Sequence, residues 1–212
     1  MQQKSKYAGV SGAKPQRASN YVRPGRYIVR LDRLEAGEAF KKGDYVAIQQ
    51  TVLKTLPNGP VGFDYDRKIP LPPHSQGEQI SEIAMVKNVA FEGRMKALLM
   101  VAGDMIEADF ARGTPEAPIP GNLEAYPGQS VEQAVSPDQP LAGVVMEIRA
   151  DTAVKKDAKA KPEQALTNAD IYTRIAYLRR IPFAELPSTL DEATLARYFP
   201  DLQEQIASES QS

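Results

Sequence analysis

Residues 171–180 read Ile171-Tyr172-Thr173-Arg174-Ile175-Ala176-Tyr177-Leu178-Arg179-Arg180, so flat rings alternate with guanidinium groups along one short stretch. A surface that holds single-stranded nucleic acid needs both groups. Cations neutralise phosphates, and rings stack under bases for about 1–3 kcal/mol each. In an extended chain, period two puts Tyr172, Arg174 and Arg180 on one face and Tyr177 and Arg179 on the other. The same mixture recurs elsewhere: Tyr45 follows Lys41 and Lys42, while Phe63 and Tyr65 stand beside Arg67 and Lys68. Lys155, Lys156, Lys159 and Lys161 crowd a further segment. Tyr27 and Tyr177 are in phase with apolar neighbours and are read as core, where a ring buries a large area. Tyr172, in phase with arginine, is read as a binding surface.

Other chemistries lack their residues. There is no cysteine, which excludes disulfides, thiol catalysis and cysteine-ligated metal. The single histidine, His74, lies in the turn-rich Pro72-Pro73-His74-Ser75-Gln76-Gly77 and is read as a solvated loop residue, not a general base. One histidine and no cysteine give little to a transition metal. Asp32, Glu78, Glu82 and Glu147 are isolated acids on strands, short of the clustered carboxylates that hold magnesium. No glycine-rich phosphate loop ending in Lys-Ser/Thr is present. The expectation is a non-enzyme with no cofactor and no metal. No apolar run reaches the ~18–20 residues of a membrane span, and no apolar signal segment follows the N-terminus. A soluble, cytoplasmic protein is expected.

Charge is nearly balanced over the 212 residues, 26 Lys and Arg against 27 Asp and Glu, but it is segregated. Lys4, Lys6, Lys14, Arg17, Arg23 and Arg26 share residues 1–26 with no acid, alongside Tyr7 and Tyr21, which predicts a disordered basic arm. Residues 104–138 carry seven acids against Arg112 alone, with five prolines, and read as an acidic, mostly irregular insertion. From 184 onward acids dominate again, and the segment reads as an acidic helical tail broken at Pro200. The division expected is a flexible arm (1–24), a barrel domain (25–183) bearing the insertion, and an acidic tail (184–212).

The elements that must position these groups follow from periodicity. Strands are predicted over Tyr27–Leu34, Tyr45–Leu53, Glu78–Ala84, Leu141–Arg149 and Ile171–Arg180. Between the third and fourth strands, Val89, Phe91, Met95, Leu98, Leu99 and Ala102 recur at helical spacing, with Asn88 as N-cap and Gly103 as a left-handed cap. Three strands, a helix and two strands is the order of an OB-fold, a five-stranded Greek-key barrel. The class expected is therefore mainly β. OB-folds bind oligonucleotides with the loops joining strands one to two and four to five, where Lys41, Lys42 and Lys155, Lys156, Lys159 and Lys161 gather.

Three stretches together resemble bacteriophage single-stranded DNA-binding proteins encoded beside replication and recombination genes. They are Asn20-Tyr21-Val22-Arg23-Pro24-Gly25-Arg26-Tyr27, then Gly77-Glu78-Gln79-Ile80-Ser81 with the helix from Asn88 through Leu99, and Tyr177-Leu178-Arg179-Arg180-Ile181-Pro182. The resemblance covers about residues 20–186 and no single motif in it is diagnostic. It implies an OB-type core, cooperative coating of single strands by a homo-oligomer, and an acidic C-terminus that contacts replication or recombination proteins. The long 104–138 insertion departs from that pattern. It leaves room for a phage structural or assembly protein that uses the arm and insertion for subunit contacts, or for an accessory to a recombination enzyme.

Overall fold

The predicted strands form: the first two run further than the periodicity indicates, the third and fourth are displaced toward the C-terminus, the fourth beginning at Val145 and not Leu141, and the fifth keeps its bounds. The structure is a computed structural model that describes residues 22–39, 43–88, 90–104 and 127–202. Its main sheet holds β1 (Gly25–Ala39), β2 (Gly43–Thr55), β5 (Gln79–Met85), β6 (Val145–Val154) and β7 (Ile171–Arg180). All neighbours pair antiparallel, in the order β5-β2-β1-β6-β7. Two short strands inside the β2–β5 connection, β3 (Gly62–Asp64) and β4 (Ile69–Leu71), make a separate hairpin where the sequence showed only a loop. Three-residue strands carry too few residues to display a period.

The sheet is not closed: among the described residues no hydrogen-bonded ladder joins β5 to β7. It is nevertheless rolled. Strands sit about 4.8 Å apart, so in a flat five-stranded sheet the two edges would lie roughly 19 Å from each other. Instead the Tyr177 hydroxyl on β7 donates to Glu82 Oε2 on β5 at 2.6 Å. Register shifts that make Leu53 the extra residue on β2, opposite Ile28 and Val29, and Asp32 the extra residue on β1 supply bends of the kind that curl a strand. The expected closed barrel is thus replaced by a rolled sheet with a seam.

Helix α1 (Phe91–Ala102) packs along this seam and buries Met95, Leu98, Leu99 and Ala102 against the sheet interior. Its start differs from expectation. Ala90 is the N-cap, and Asn88 instead accepts from the Ala90 N–H in a turn just before it. Gly103 ends the helix with φ −83°, in the right-handed region, and the left-handed residue is Asp104 at φ 54°. Helix α2 (Pro127–Ala134) lies within the insertion, whose residues 105–126 fall outside those described. Ala134 and Leu141 join the core, and the Gln139 side chain bonds both the N–H and the C=O of Leu34.

The segment read as an acidic tail is largely packed. Helices α3 (Leu186–Thr189) and α4 (Glu192–Tyr198) set Leu186, Leu190, Leu195 and Phe199 against Ile28, Leu53 and Val145 on the outside of the sheet. Apolar residues four and five apart give the segment one dry face, and its acids lie on the other. Asp191 caps α4 by accepting from the Thr194 N–H. Residues 203–212 and the arm residues 1–21 lie outside the described range.

His74 is corrected as well. It is 4% exposed. Its Nε2 accepts the Arg23 N–H at 2.9 Å, which leaves Nδ1 to face Glu78 Oε2. The Arg23 guanidinium reaches the same carboxylate oxygen, so the residues leading into β1 are clasped to those leading into β5. Burial pushes the Glu78 carboxyl up, but the His74 and Arg23 hydrogen bonds outweigh it and hold it at about 2.

Candidate nucleic-acid interface

The β3–β4 hairpin turns on Asp64. Its Oδ1 accepts from the N–H groups of Asp66 and Arg67, each at 3.0 Å, and Lys68 closes the turn at φ 60° with its N–H on the Asp64 carbonyl. A short acidic side chain bonding its own backbone two and three residues on is a standard way to stabilise a tight turn. The Arg67 backbone bond first, then the Asn168 amide, hold the Asp64 carboxyl below the ordinary aspartate range.

The β6–β7 loop (155–170) is built from three single 3-10 turns and is anchored by buried Leu166 and Ala158. Thr167-Asn168-Ala169-Asp170 forms a reciprocal capping box. Asn168 then joins the loop to the hairpin. Its Oδ1 accepts the Tyr65 N–H at 2.9 Å, its Nδ2 donates to Asp64 Oδ1 at 2.8 Å, and its N–H donates to Asp66 Oδ1 at 3.0 Å. Lys68 Nζ adds donations to the Gln164 and Leu166 carbonyls. Two segments about a hundred residues apart in sequence thereby form one platform.

On that platform the expected cations divide. Lys68 is committed to loop carbonyls and Lys155 to the Ala169 carbonyl. Lys161 pairs with Asp170 at 2.7 Å, and with the Thr167 bonds it lowers that carboxyl to about 2. Lys156 and Lys159 are exposed and have no partner among the described residues. Arg67 is exposed and only loosely held, 3.7 Å from Asp64. Phe63 and Tyr65 are half-buried and meet edge to face with ring centroids 5.1 Å apart. Tyr172, 42% exposed, follows directly where β7 leaves the loop.

The remaining expected residues are not brought here. Ten residues of β2 separate Tyr45 from Thr55, a span of roughly 33 Å, so Tyr45 lies at the far end of the sheet. Its ring rests against Gly37, where an added Cβ would come within 2.6 Å of it. Lys41 and Lys42 fall outside the described residues. Arg174 is on the outer face of β7 with Tyr172, at the rim of an open cleft shared with Gly93, Arg94 and Ala97 of α1.

Arg180 does not share that face. A bulge opposite Glu147 and Ile148 makes Leu178 the extra residue. Past it the phase inverts. Arg180 turns inward and donates to the Ala102 carbonyl at the end of α1, while Arg179 turns outward to Glu147 and Glu185. Period two therefore misassigns the last two residues of the strand.

Sequence reasoning passed over Asn168, although its signature was present: a threonine followed three residues later by an acid marks a capping box. It also passed over Arg26, assigned to the edge of the arm, and Arg149, seen on its strand but not used. Among the described residues no cluster of three or more His, Asp or Glu could hold a metal ion, and no helix is long and apolar enough to cross a membrane. No family model and no curated protein matches the chain.

Proposed function

We propose that this protein binds single-stranded DNA without catalysing a reaction, and that the hairpin–loop platform is where bases are first held. Asn168 carries the reading. By fastening the β3–β4 hairpin to the β6–β7 loop it joins the segment that carries the Phe63–Tyr65 ring pair to the segment that carries the exposed, unpartnered cations Lys156 and Lys159. Rings and phosphate-neutralising cations on a common surface are what sequence-tolerant binding of a single strand requires. The fold gives secondary support. The order β5-β2-β1-β6-β7, with a helix before the fourth long strand, supports the OB-type reading of a partly open barrel. A phage replication or recombination setting, homo-oligomeric coating and contact with partner proteins through the C-terminal acids belong to the same proposal.

The test uses the nine tyrosines and the absence of tryptophan. Titration with oligo-dT quenches tyrosine fluorescence, and affinity falls as salt rises because bound counterions are released. A double-stranded competitor displaces the oligonucleotide poorly. A protein that neither quenches nor shows salt-dependent binding at micromolar concentration is not a strand binder. Assembly with concentration in its place points to a subunit-contact role, which the exposed Ile83 and Val86 at the unpaired β5 edge would suit.

A further inference from the structure

We propose that a bound single strand leaves the platform along the outer face of β6 and β7, over Tyr172, Arg174, Arg149 and Arg179 with Arg26 beside them at the start of β1, and not across β2 and β5. This inference rests on the single-strand reading above and names the path on that surface. An OB-type barrel would be expected to carry the strand over the face of β2 and β5. Here that route is obstructed next to the platform. Leu53 and Ile28 lie beneath α3 and α4, and Tyr198 covers Arg30, with the guanidinium 5.0 Å from the ring centroid. Only past them do Gln49 and Tyr45 reach partial exposure, with Ala47 buried between them.

The other route is open. Register places Tyr172 beside Ala153, Arg174 beside Asp151, and Arg149 between Ala176 and Arg26. Arg26 and Arg149 are directly opposed cations on adjacent strands, an arrangement that costs stability unless anions attend it. Each is steadied from one side by a carboxylate, Arg26 by Glu147 at 2.6 Å and Arg149 by Asp151 at 3.0 Å, so both guanidinium groups are fixed before a phosphate arrives. Arg149 and Arg179 keep about half of their side-chain surface exposed, and Arg174 has no partner among the described residues. The row begins at an exposed ring and continues as spaced cations, which matches the alternation of a base that stacks and a backbone that follows it.

The experiment compares fluorescein-labelled oligo-dT of about five nucleotides, short enough for the platform, with one of about sixteen, near the upper span of a single fold of this type. In the full chain, Arg149→Gln/Arg174→Gln leaves the short oligonucleotide unaffected. It weakens the long one about tenfold and makes its log affinity against log salt shallower by about 1.4, the loss of two phosphate contacts. Arg174→Gln alone breaks no ion pair among the described residues, so it serves where folding of the double variant is in doubt, and it gives about half the change in slope. Tyr45→Ala changes neither length. Equal loss at both lengths, no loss, or loss with Tyr45→Ala in place of the arginines overturns the path while leaving strand binding intact. A parent protein that binds neither length overturns the reading beneath it as well. Loss of concentration-dependent self-association in the double variant, with DNA affinity unchanged, assigns the arginines to an acidic protein surface and overturns the path too.

Discussion

At the seam, Glu82 is 7% exposed and sits between the Tyr177 hydroxyl and the Arg94 guanidinium, whose Nη1 stands 3.0 Å from Oε1. At the platform, Asn168 joins hairpin and loop through bonds of similar length in contact with solvent. Both places fasten segments far apart in the chain, and both do it with polar groups. They differ in what happens when a bond is lost. A buried carboxylate stripped of a partner has no water to turn to, whereas a half-buried amide reaches some. Stability should therefore be concentrated at the seam, and binding at the platform.

Arg94→Met tests the costly side of this contrast. It leaves the Glu82 carboxylate buried without its cation and should destabilise by about 3 kcal/mol, read as a drop in denaturation midpoint. Tyr177→Phe removes one hydrogen bond from the same carboxylate and should cost about 1–2 kcal/mol. If either variant matched the parent in stability, the seam would be incidental to the rolled sheet.

The pH dependence sharpens the contrast within a single stretch, since Glu78 and Glu82 are shifted in opposite directions. Burial raises the Glu82 carboxyl above its ordinary value, against the Tyr177 and Arg94 contacts. Its contribution is complete below the unfolded value near 4.5 and declines as pH rises through the raised folded value. Glu78, held at about 2, contributes fully above 4.5 and loses its contribution as pH falls toward 2. Stability measured against pH should accordingly flatten on the neutral side in Glu82→Gln and on the acid side in Glu78→Gln. The same limb flattening in both variants would mean the two carboxylates do not sit in distinct environments.

How much of this was legible depended on whether a residue's role is local. The long strands and the helix show in the sequence because alternation and helical spacing are properties of neighbours, and Tyr27 and Tyr177 were placed in the core on that basis. The face of Arg180 was lost because a bulge is set by the partner strand, not by the strand's own order. The packing of Leu186, Leu190, Leu195 and Phe199 was hidden by counting acids, which describe only the wet side of the segment. The charge of the β6–β7 loop was overestimated for a related reason. Half of its lysines, Lys155 and Lys161, are used to hold the loop together, through contacts that the sequence does not display.

Asn168→Ala lies between the two regions. It removes two side-chain bonds but leaves the backbone bond to Asp66, so the loss of stability should be about 1 kcal/mol or less while oligo-dT affinity falls as the ring pair and the lysines separate. Retained affinity would show that the hairpin and the loop act independently.

The smallest change expected in the fold comes from the pair that bears most directly on binding. Lys156 and Lys159 are exposed and make no hydrogen bond or ion pair among the described residues, so Lys156→Gln/Lys159→Gln should shift stability by no more than about 0.5 kcal/mol. If each lysine meets one phosphate, the slope of log affinity against log salt becomes shallower by about 1.4 at every oligonucleotide length, including the shortest. That insensitivity to length separates the platform from the arginine path, whose loss is felt only by a strand long enough to reach it. A double variant that kept the parent slope would leave the platform with rings but no phosphate contact, and the remaining cation there, Arg67 beside Asp64, would have to be tested in their place.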